Sequence, residues 1–246
     1  MNMIKAVVRQ ILFGYKSSSD NYVKYLKKIG VEVGENVIIF RPFNTIIDVQ
    51  NPELLYIGND VQITGPVTIL THDYAWSVLK KKYGPILGNQ RPTIIGDNVF
   101  IGWGVTILGG TVIGNNTIIG AGAVVSGTLE KDSVYAGNPA RKLMSIDDYF
   151  EKRVTHQLDD AFEIFRQFYK KNETTPPKKV FKEYFFLFEN DSSRLISDFS
   201  NKMHLMRNYD ESAKCLDGLE FRKFNNYDSF IEYCKKRLKR CGYVES

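Results

Sequence analysis

Only one histidine, His72, falls in the first 150 residues of this chain; the other two, His156 and His204, lie in the last hundred. An imidazole titrates closer to neutral pH than any other side chain, so it can take a proton from a hydroxyl and release it again. Asp73 and Tyr74 follow directly, and Trp76 comes two residues later. The carboxylate is placed to orient the ring, touch a ligand or start a loop turn. The two aromatics are placed to stack on a ligand or to anchor the loop. A lone histidine does chemistry only when it is held rigidly beside a segment that can cover a ligand, so the surrounding elements decide its meaning.

Those elements follow a period of six. From Ile95 the positions Ile101, Ile107, Ile113, Ile119 and Val125 repeat an aliphatic residue, with glycine directly after it at Gly96, Gly102, Gly114 and Gly120. The fifth place of each unit is small or β-branched: Val99, Val105, Thr111, Thr117, Ala123, then Leu129. Six matches neither a helix nor a plain strand. It is the hexapeptide signature of a β-solenoid, with one flat face per unit and three faces per coil. Upstream the same frame passes less cleanly through Val33, Ile39, Thr45, Asn51, Ile57, Ile63 and Ile69, and Asn51-Pro52 marks a bulged corner. After Tyr74 the frame is lost until Ile95. The intervening segment, 75–93, is too long for a corner and reads as an active-site loop. His72 stands where it begins. Periodicity alone leaves the handedness of the coil open, since most parallel crossovers are right-handed.

Residues 1–30 are expected to form a helical cap on the solenoid, with Val23, Leu26 and Ile29 on its apolar face, Ser19 or Asp20 as N-cap and Gly30 as the stop. The solenoid occupies 31–143. Residues 144–246 are rich in Phe, Tyr, Lys and Glu, carry Phe162, Phe165 and Tyr169 at helical spacing, and read as an α-helical extension with its own core.

Composition excludes several classes. A net charge of +5 with no extended basic stripe does not fit a nucleic-acid reader. The cluster Lys235, Lys236, Arg237, Lys239 and Arg240 reads as a solvated last helical turn. No run of about eighteen apolar residues forms an integral membrane segment. Lys5 and Arg9 interrupt the N-terminal apolar stretch, unlike a secretion signal. Three cysteines, Cys215, Cys234 and Cys241, without a CxxC pair suggest a reducing, cytoplasmic setting.

ILTHDY at 69–74, IGDNVFIGWGVTIL at 95–108, IGAGAVVSG at 119–127 and AGNPARKL at 136–143 together resemble the left-handed β-helix acetyltransferases. The sugar and polysaccharide O-acetyltransferases, which include the maltose and galactoside enzymes, are the branch most similar. The resemblance covers roughly residues 20–143. It implies a mainly β fold, a left-handed parallel β-helix, assembled as a homotrimer with acetyl-CoA in the groove between adjacent solenoids. It makes His72 the base that deprotonates an acceptor hydroxyl of a sugar or polysaccharide, and the backbone N–H of Trp103 the donor to the developing oxyanion. It places Trp103, Ala121, Gly122, Ser126 and Gly127 along the pantetheine arm and Arg141 near the nucleotide phosphates. Gly127 stands where relatives often carry lysine, so Lys142 or the tail is expected to substitute. Asp73, Tyr74 and Trp76 are the candidate acceptor contacts.

Rival readings remain within reach of the same residues. N-acetylation of an amino-sugar nucleotide would use the same groove, and a non-catalytic scaffold would use none of it. A catalytic zinc site of the kind found in the γ-class carbonic anhydrases draws three histidines from the coils. With His72 alone in the repeats, no metal is expected.

Overall fold

A computed structural model describes Val8 and residues 10–240. The N-terminal stretch around Lys5 and Arg9, and Cys241, lie outside the described residues. The chain divides into two compact units, Met1–Tyr149 and Phe150–Ser246.

The first unit opens with α1 (Ser19–Lys28). Its cap is Ser18, whose side chain accepts from the Asn21 N–H, one residue before the expected position. Ser19 instead accepts from the Ile39 N–H and ties the helix to the first coil. Gly30 adopts φ +102°, which stops the helix as expected. The buried face is Tyr22 and Leu26, with Val23 and Ile29 at its margin, and it packs into the end of the solenoid core.

Five coils follow. The first holds β1 (Glu32–Val33), β2 (Ile38–Ile39) and β3 (Ile46–Ile47). The second holds β4 (Leu55–Ile57), β5 (Gln62–Ile63) and β6 (Thr68–Ile69). The third holds β7 (Thr93–Ile95), β8 (Phe100–Ile101) and β9 (Thr106–Ile107). The fourth holds β10 (Val112–Ile113), β11 (Thr117–Ile119) and β12 (Val124–Val125). The last has β13 (Thr128–Leu129) and β14 (Ser133–Ala136), against which β15 (Arg141–Ser145) turns back antiparallel. Three sheets result: a first face β1-β4-β7-β10-β13, a second face β2-β5-β8-β11-β14-β15 and a third face β3-β6-β9-β12.

Like stacks on like inside this prism. Val33, Ile57, Ile95, Ile113 and Leu129 are in register on the first face, and Ile47, Ile69, Ile107 and Val125 on the third. The fifth-place residues Val99, Val105, Thr111, Thr117 and Ala123 are buried as well. Each hexad therefore contributes two inward side chains, one on the flat and one at the corner.

Two readings of the frame need correction. Ile47, not Thr45, holds the third face of the first coil, because a tight turn at Pro42–Asn44 adds two residues. A second turn at Pro52–Leu54 adds four more, so the six-beat returns in phase at Ile57. Leu129 pairs with Ile113 and so takes the flat position of its hexad, not the fifth place, because the corner after β12 is two residues short.

The second unit has a core of its own. Phe165, on the long α3 (Ile146–Asn172), is buried with Phe181 and Phe188, with Phe199 of α4 (Ser197–Met203) and with Phe230 of α6 (Tyr227–Arg240). Leu216 of α5 (Tyr209–Asp217) completes it. Within the C-terminal basic cluster, Arg237 is not simply solvated: it pairs with Asp159 at 2.7 Å and covers the Phe162 ring. No helix among the described residues is long and apolar enough to cross a membrane.

Candidate functional site

The corner where the third face turns back to the first carries His72. Strand β6 is held on both sides, by β3 and β9, so the residues just after it leave a fixed frame. Thr71 is fully buried there and His72 half-buried. From the coil below, Asp48 turns its carboxylate up into this corner. Its Oδ2 accepts from the Thr71 N–H at 3.0 Å and the Thr71 hydroxyl at 2.6 Å, and it meets His72 Nδ1 at 2.5 Å. Its Oδ1 accepts from the Gln50 N–H. Burial pushes this carboxyl up, but the bonds from the Thr71 hydroxyl, the Gln50 and Thr71 N–H groups and His72 outweigh it and hold it at about 2. Asp48 is therefore an ionised acceptor at neutral pH. Against an ionised acceptor His72 Nδ1 is the donor, so in the neutral imidazole the lone pair lies on Nε2.

The excursion after His72 has a closed neck. His72 and Gln90 form an antiparallel bridge, and the Arg91 N–H donates to Thr71 O at 2.8 Å. Asp73 belongs to this neck: one carboxylate oxygen accepts from the Ala75 N–H and the other from Asn89 Nδ2. The residue that orients the imidazole is thus Asp48, while Asp73 shapes the loop turn. The segment expected as a plain loop contains α2 (Trp76–Tyr83), which has no buried residue and exposes Val78 and Tyr83. Tyr74 presents its ring edge to His72 at 5.1 Å, and its ring lies 6.0 Å from that of Trp76. The Tyr74 hydroxyl donates to Gln50 Oε1.

Trp103 lies on a different edge, where the second face turns into the third. Gly104 donates to Pro66 O below, and Trp103 O accepts from the Gly122 N–H above at 2.7 Å. A Cβ on Gly102 would come within 2.7 Å of Ala121 N, so the corner is small because the coils touch. Ala121 and Gly122 therefore sit directly on Trp103, one coil further on. Ser126 and Gly127 sit elsewhere, on the His72 edge, two coils further on. Gly122 and Gly127 both have positive φ, +72° and +75°, with nothing near their missing Cβ, so each edge offers an open strip of bare backbone. Arg141 opens β15 opposite Ala136 and is exposed. Lys142, expected to stand in for a lysine at 127, is tied to Glu130 at 2.6 Å.

The expected site residues thus fall into two groups, on the two edges of the third face. Gly109 stacks on His72, with its ideal Cβ 3.2 Å from His72 N. Six residues of extended chain separate it from Trp103, a span of roughly 20 Å. One chain alone does not bring His72 and Trp103 together. Asp48 and Thr71 went unread in the sequence. The signal of Asp48, a corner residue one coil below the histidine, is hidden by the two insertions of the first coil.

A family model described as bacterial transferase hexapeptide (six repeats) matches residues 92–127. Protein CapG of Staphylococcus aureus is 41% identical over 134 residues, which cover 54% of this chain and 76% of that protein. This chain belongs to the bacterial hexapeptide-repeat transferases. Its prism is the left-handed parallel β-helix of that family, with helical segments at both ends. Among solved structures it is similar to a galactoside acetyltransferase in complex with coenzyme A, with TM-score 0.44 and 24% identity over 60% of this chain and 83% of that one. It is also similar to a hexapeptide-repeat acetyltransferase from Vibrio cholerae, with TM-score 0.43 and 19% identity over 58% and 89%.

Proposed function

We propose that this hexapeptide transferase is an acetyl-CoA-dependent O-acetyltransferase, acting in the cytoplasm as a homotrimer on a hydroxyl of a sugar that belongs to a cell-surface polysaccharide or its precursor. The observation that carries the reading is the Asp48–His72 contact at 2.5 Å on a rigid coil corner. An ionised carboxylate on Nδ1 leaves Nε2 basic and fixes the plane of the ring, which is what a general base needs. The split into two half-sites supports the assembly: a neighbouring copy would set its Trp103 edge against the His72 edge and complete one site per interface.

In this reading the acceptor hydroxyl approaches His72 Nε2, with Tyr74 and Trp76 beside it and Asp73 fixing the loop neck. As its oxygen attacks the thioester carbonyl, its proton passes to Nε2 and the imidazolium is stabilised by Asp48. The Trp103 N–H, which takes no part in the coil-to-coil bonds of its corner, donates to the carbonyl oxygen as negative charge builds there. The C–O bond of the ester forms, the C–S bond breaks, and the proton on Nε2 passes to the departing thiolate. The bare backbone at Ala121 and Gly122 on one edge and at Ser126 and Gly127 on the other gives a pantetheine chain room to lie close. Arg141 is free to pair with the nucleotide phosphates.

The test is thiol release from acetyl-CoA over a saccharide panel, with mass analysis of the product. Wild type should yield an ester, and His72→Ala should lose about 10² to 10⁴ in rate with its fold intact. An amide product would move the reading to amino sugars. Equal rates for the two proteins would remove His72 from the chemistry.

A further inference from the structure

The tryptophan edge carries a cation that the transfer chemistry has not used. Arg41 follows β2 in the first coil, and its guanidinium carbon lies 4.7 Å from the centroid of the Trp103 ring, two coils further on. The second coil lets it pass because its corner residue is Gly65, where a Cβ would come 2.7 Å from Thr45 Oγ1 and 3.1 Å from Arg41 Cβ. Among the described residues no carboxylate pairs with Arg41, and its guanidinium N–H groups make no hydrogen bond. Stacking on Trp103 covers one face of the fork and leaves its edge donors free. Phe13, Phe40, Pro42 and Phe43 wall a shallow pocket of about 340 Å³ against Arg41. Lys16 adds a second cation at this corner, its Nζ bonded to Thr45 O.

The order of coils says which ligand would meet this group. Along the tryptophan edge Arg41 stands in the first coil, Trp103 in the third, Ala121 and Gly122 in the fourth and Arg141 beyond the fifth. If the donor runs from Arg141 to a thioester at Trp103, its phosphates lie several coils from Arg41, at about 4.8 Å per coil. In that placement the side of the first two coils is left to the acceptor. Resting on the transferase reading, we infer that Arg41 is a specificity determinant that reads an anionic group, a carboxylate or a phosphate, on the acceptor saccharide. The acceptor is thus an acidic sugar whose ring lies against the aromatic wall while its charge meets the fork edge.

A matched set of acceptors tests this: a uronic-acid oligosaccharide, its carboxyl-reduced counterpart, and the same sugar as its 1-phosphate. In wild type, kcat/KM should favour an acidic acceptor over the reduced one by tenfold or more, mostly through KM, and the preference should shrink with added salt. Arg41→Ala should collapse that ratio, and Arg41→Lys should restore part of it. The carboxylate and phosphate arms tell which anion is read. Equal loss on acidic and reduced acceptors in Arg41→Ala would make Arg41 a prop for Trp103 and overturn the inference while leaving acetyl transfer intact. Calorimetric titration of the same saccharides separates the other case. Acidic binding that Arg41→Ala loses, without any thiol release, would keep the anion site and refute the transferase. No preference for the acids in either assay overturns the site.

Discussion

Asp48 and His72 are 24 positions apart in the chain, yet the carboxylate of one coil meets the imidazole of the next at 2.5 Å. The solenoid makes this contact cheap to hold. Asp48 donates its N–H to Ile69 O, Leu70 donates its own to Ile107 O, and the ladder fixes both corners before any side chain is placed. Thr71 then supplies two further donors to the same carboxylate oxygen. Little conformational freedom is left to the imidazole.

Replacing Asp48 by Asn keeps the shape and removes the charge. An amide can offer Nδ1 either an acceptor oxygen or a donor NH₂, and the second would turn the imidazole to the wrong tautomer. We expect turnover to fall by about 10² to 10⁴ with acetyl-CoA affinity nearly unchanged. Steady-state kinetics on the purified variant check this, and a loss confined to the Michaelis constant for acetyl-CoA would refute it.

The same carboxylate makes stability depend on acid. Its folded value of about 2 lies below that of an ordinary aspartate. Its contribution is therefore complete above the ordinary carboxylate range, about 3.9, and disappears as pH falls through the folded value. Asp48 is largely covered, so the contribution is on the order of 2 kcal/mol. Denaturation midpoints of wild type and Asp48→Asn should keep a constant gap above about pH 5 and converge between roughly 4 and 2. A gap that persists undiminished to low pH would assign the stabilisation to packing instead.

How far these features could be read in advance follows from the insertions. In the third and fourth coils nothing interrupts the beat, so Ile95 through Val125 are legible one by one. In the first coil, two residues at Pro42–Asn44 and four at Pro52–Leu54 displace the frame and then restore it. Thr45 thus reads as a flat position and Asp48 as nothing in particular. Contacts between coils depend on register, and register is lost wherever a corner changes length. Asp73 adjoins His72 in the sequence, but its carboxylate is taken up by the Ala75 N–H and Asn89 Nδ2 of the loop neck. Arg41 was hidden for the same reason as Asp48, since its partner Trp103 is two coils away.

Gly109 offers a way to move His72 without touching it. A methyl group there would sit 2.9 Å from the Thr71 carbonyl carbon and 3.2 Å from His72 N, both backbone atoms of a corner hydrogen-bonded on each side. Gly109→Ala should cost about 1–3 kcal/mol by overpacking and lower turnover together with stability. Gly84→Ala is the contrast: φ there is +102° with open space, so it carries backbone strain of about 1 kcal/mol and leaves the His72 corner in place. Urea denaturation beside acetyl-transfer rates distinguishes the two. Unchanged rates in Gly109→Ala would mean that the corner yields more readily than its ladder implies.

Arg141 separates donor binding from chemistry. Its backbone is pinned opposite Ala136 in β15, while its guanidinium is exposed and, among the described residues, bonded only to the neighbouring Ala140 O. Truncation to alanine therefore removes a charge without removing a support. A charge-assisted bond to a phosphate contributes about 1.5–3 kcal/mol, so Arg141→Ala should raise the Michaelis constant for acetyl-CoA about tenfold or more with turnover nearly constant. The decisive comparison uses acetyl-pantetheine, which has no nucleotide for the guanidinium to hold. If Arg141 grips those phosphates, wild type and variant should turn over this shorter donor at the same rate. A variant impaired equally on both donors would place Arg141 in the scaffold, with no direct hold on the donor.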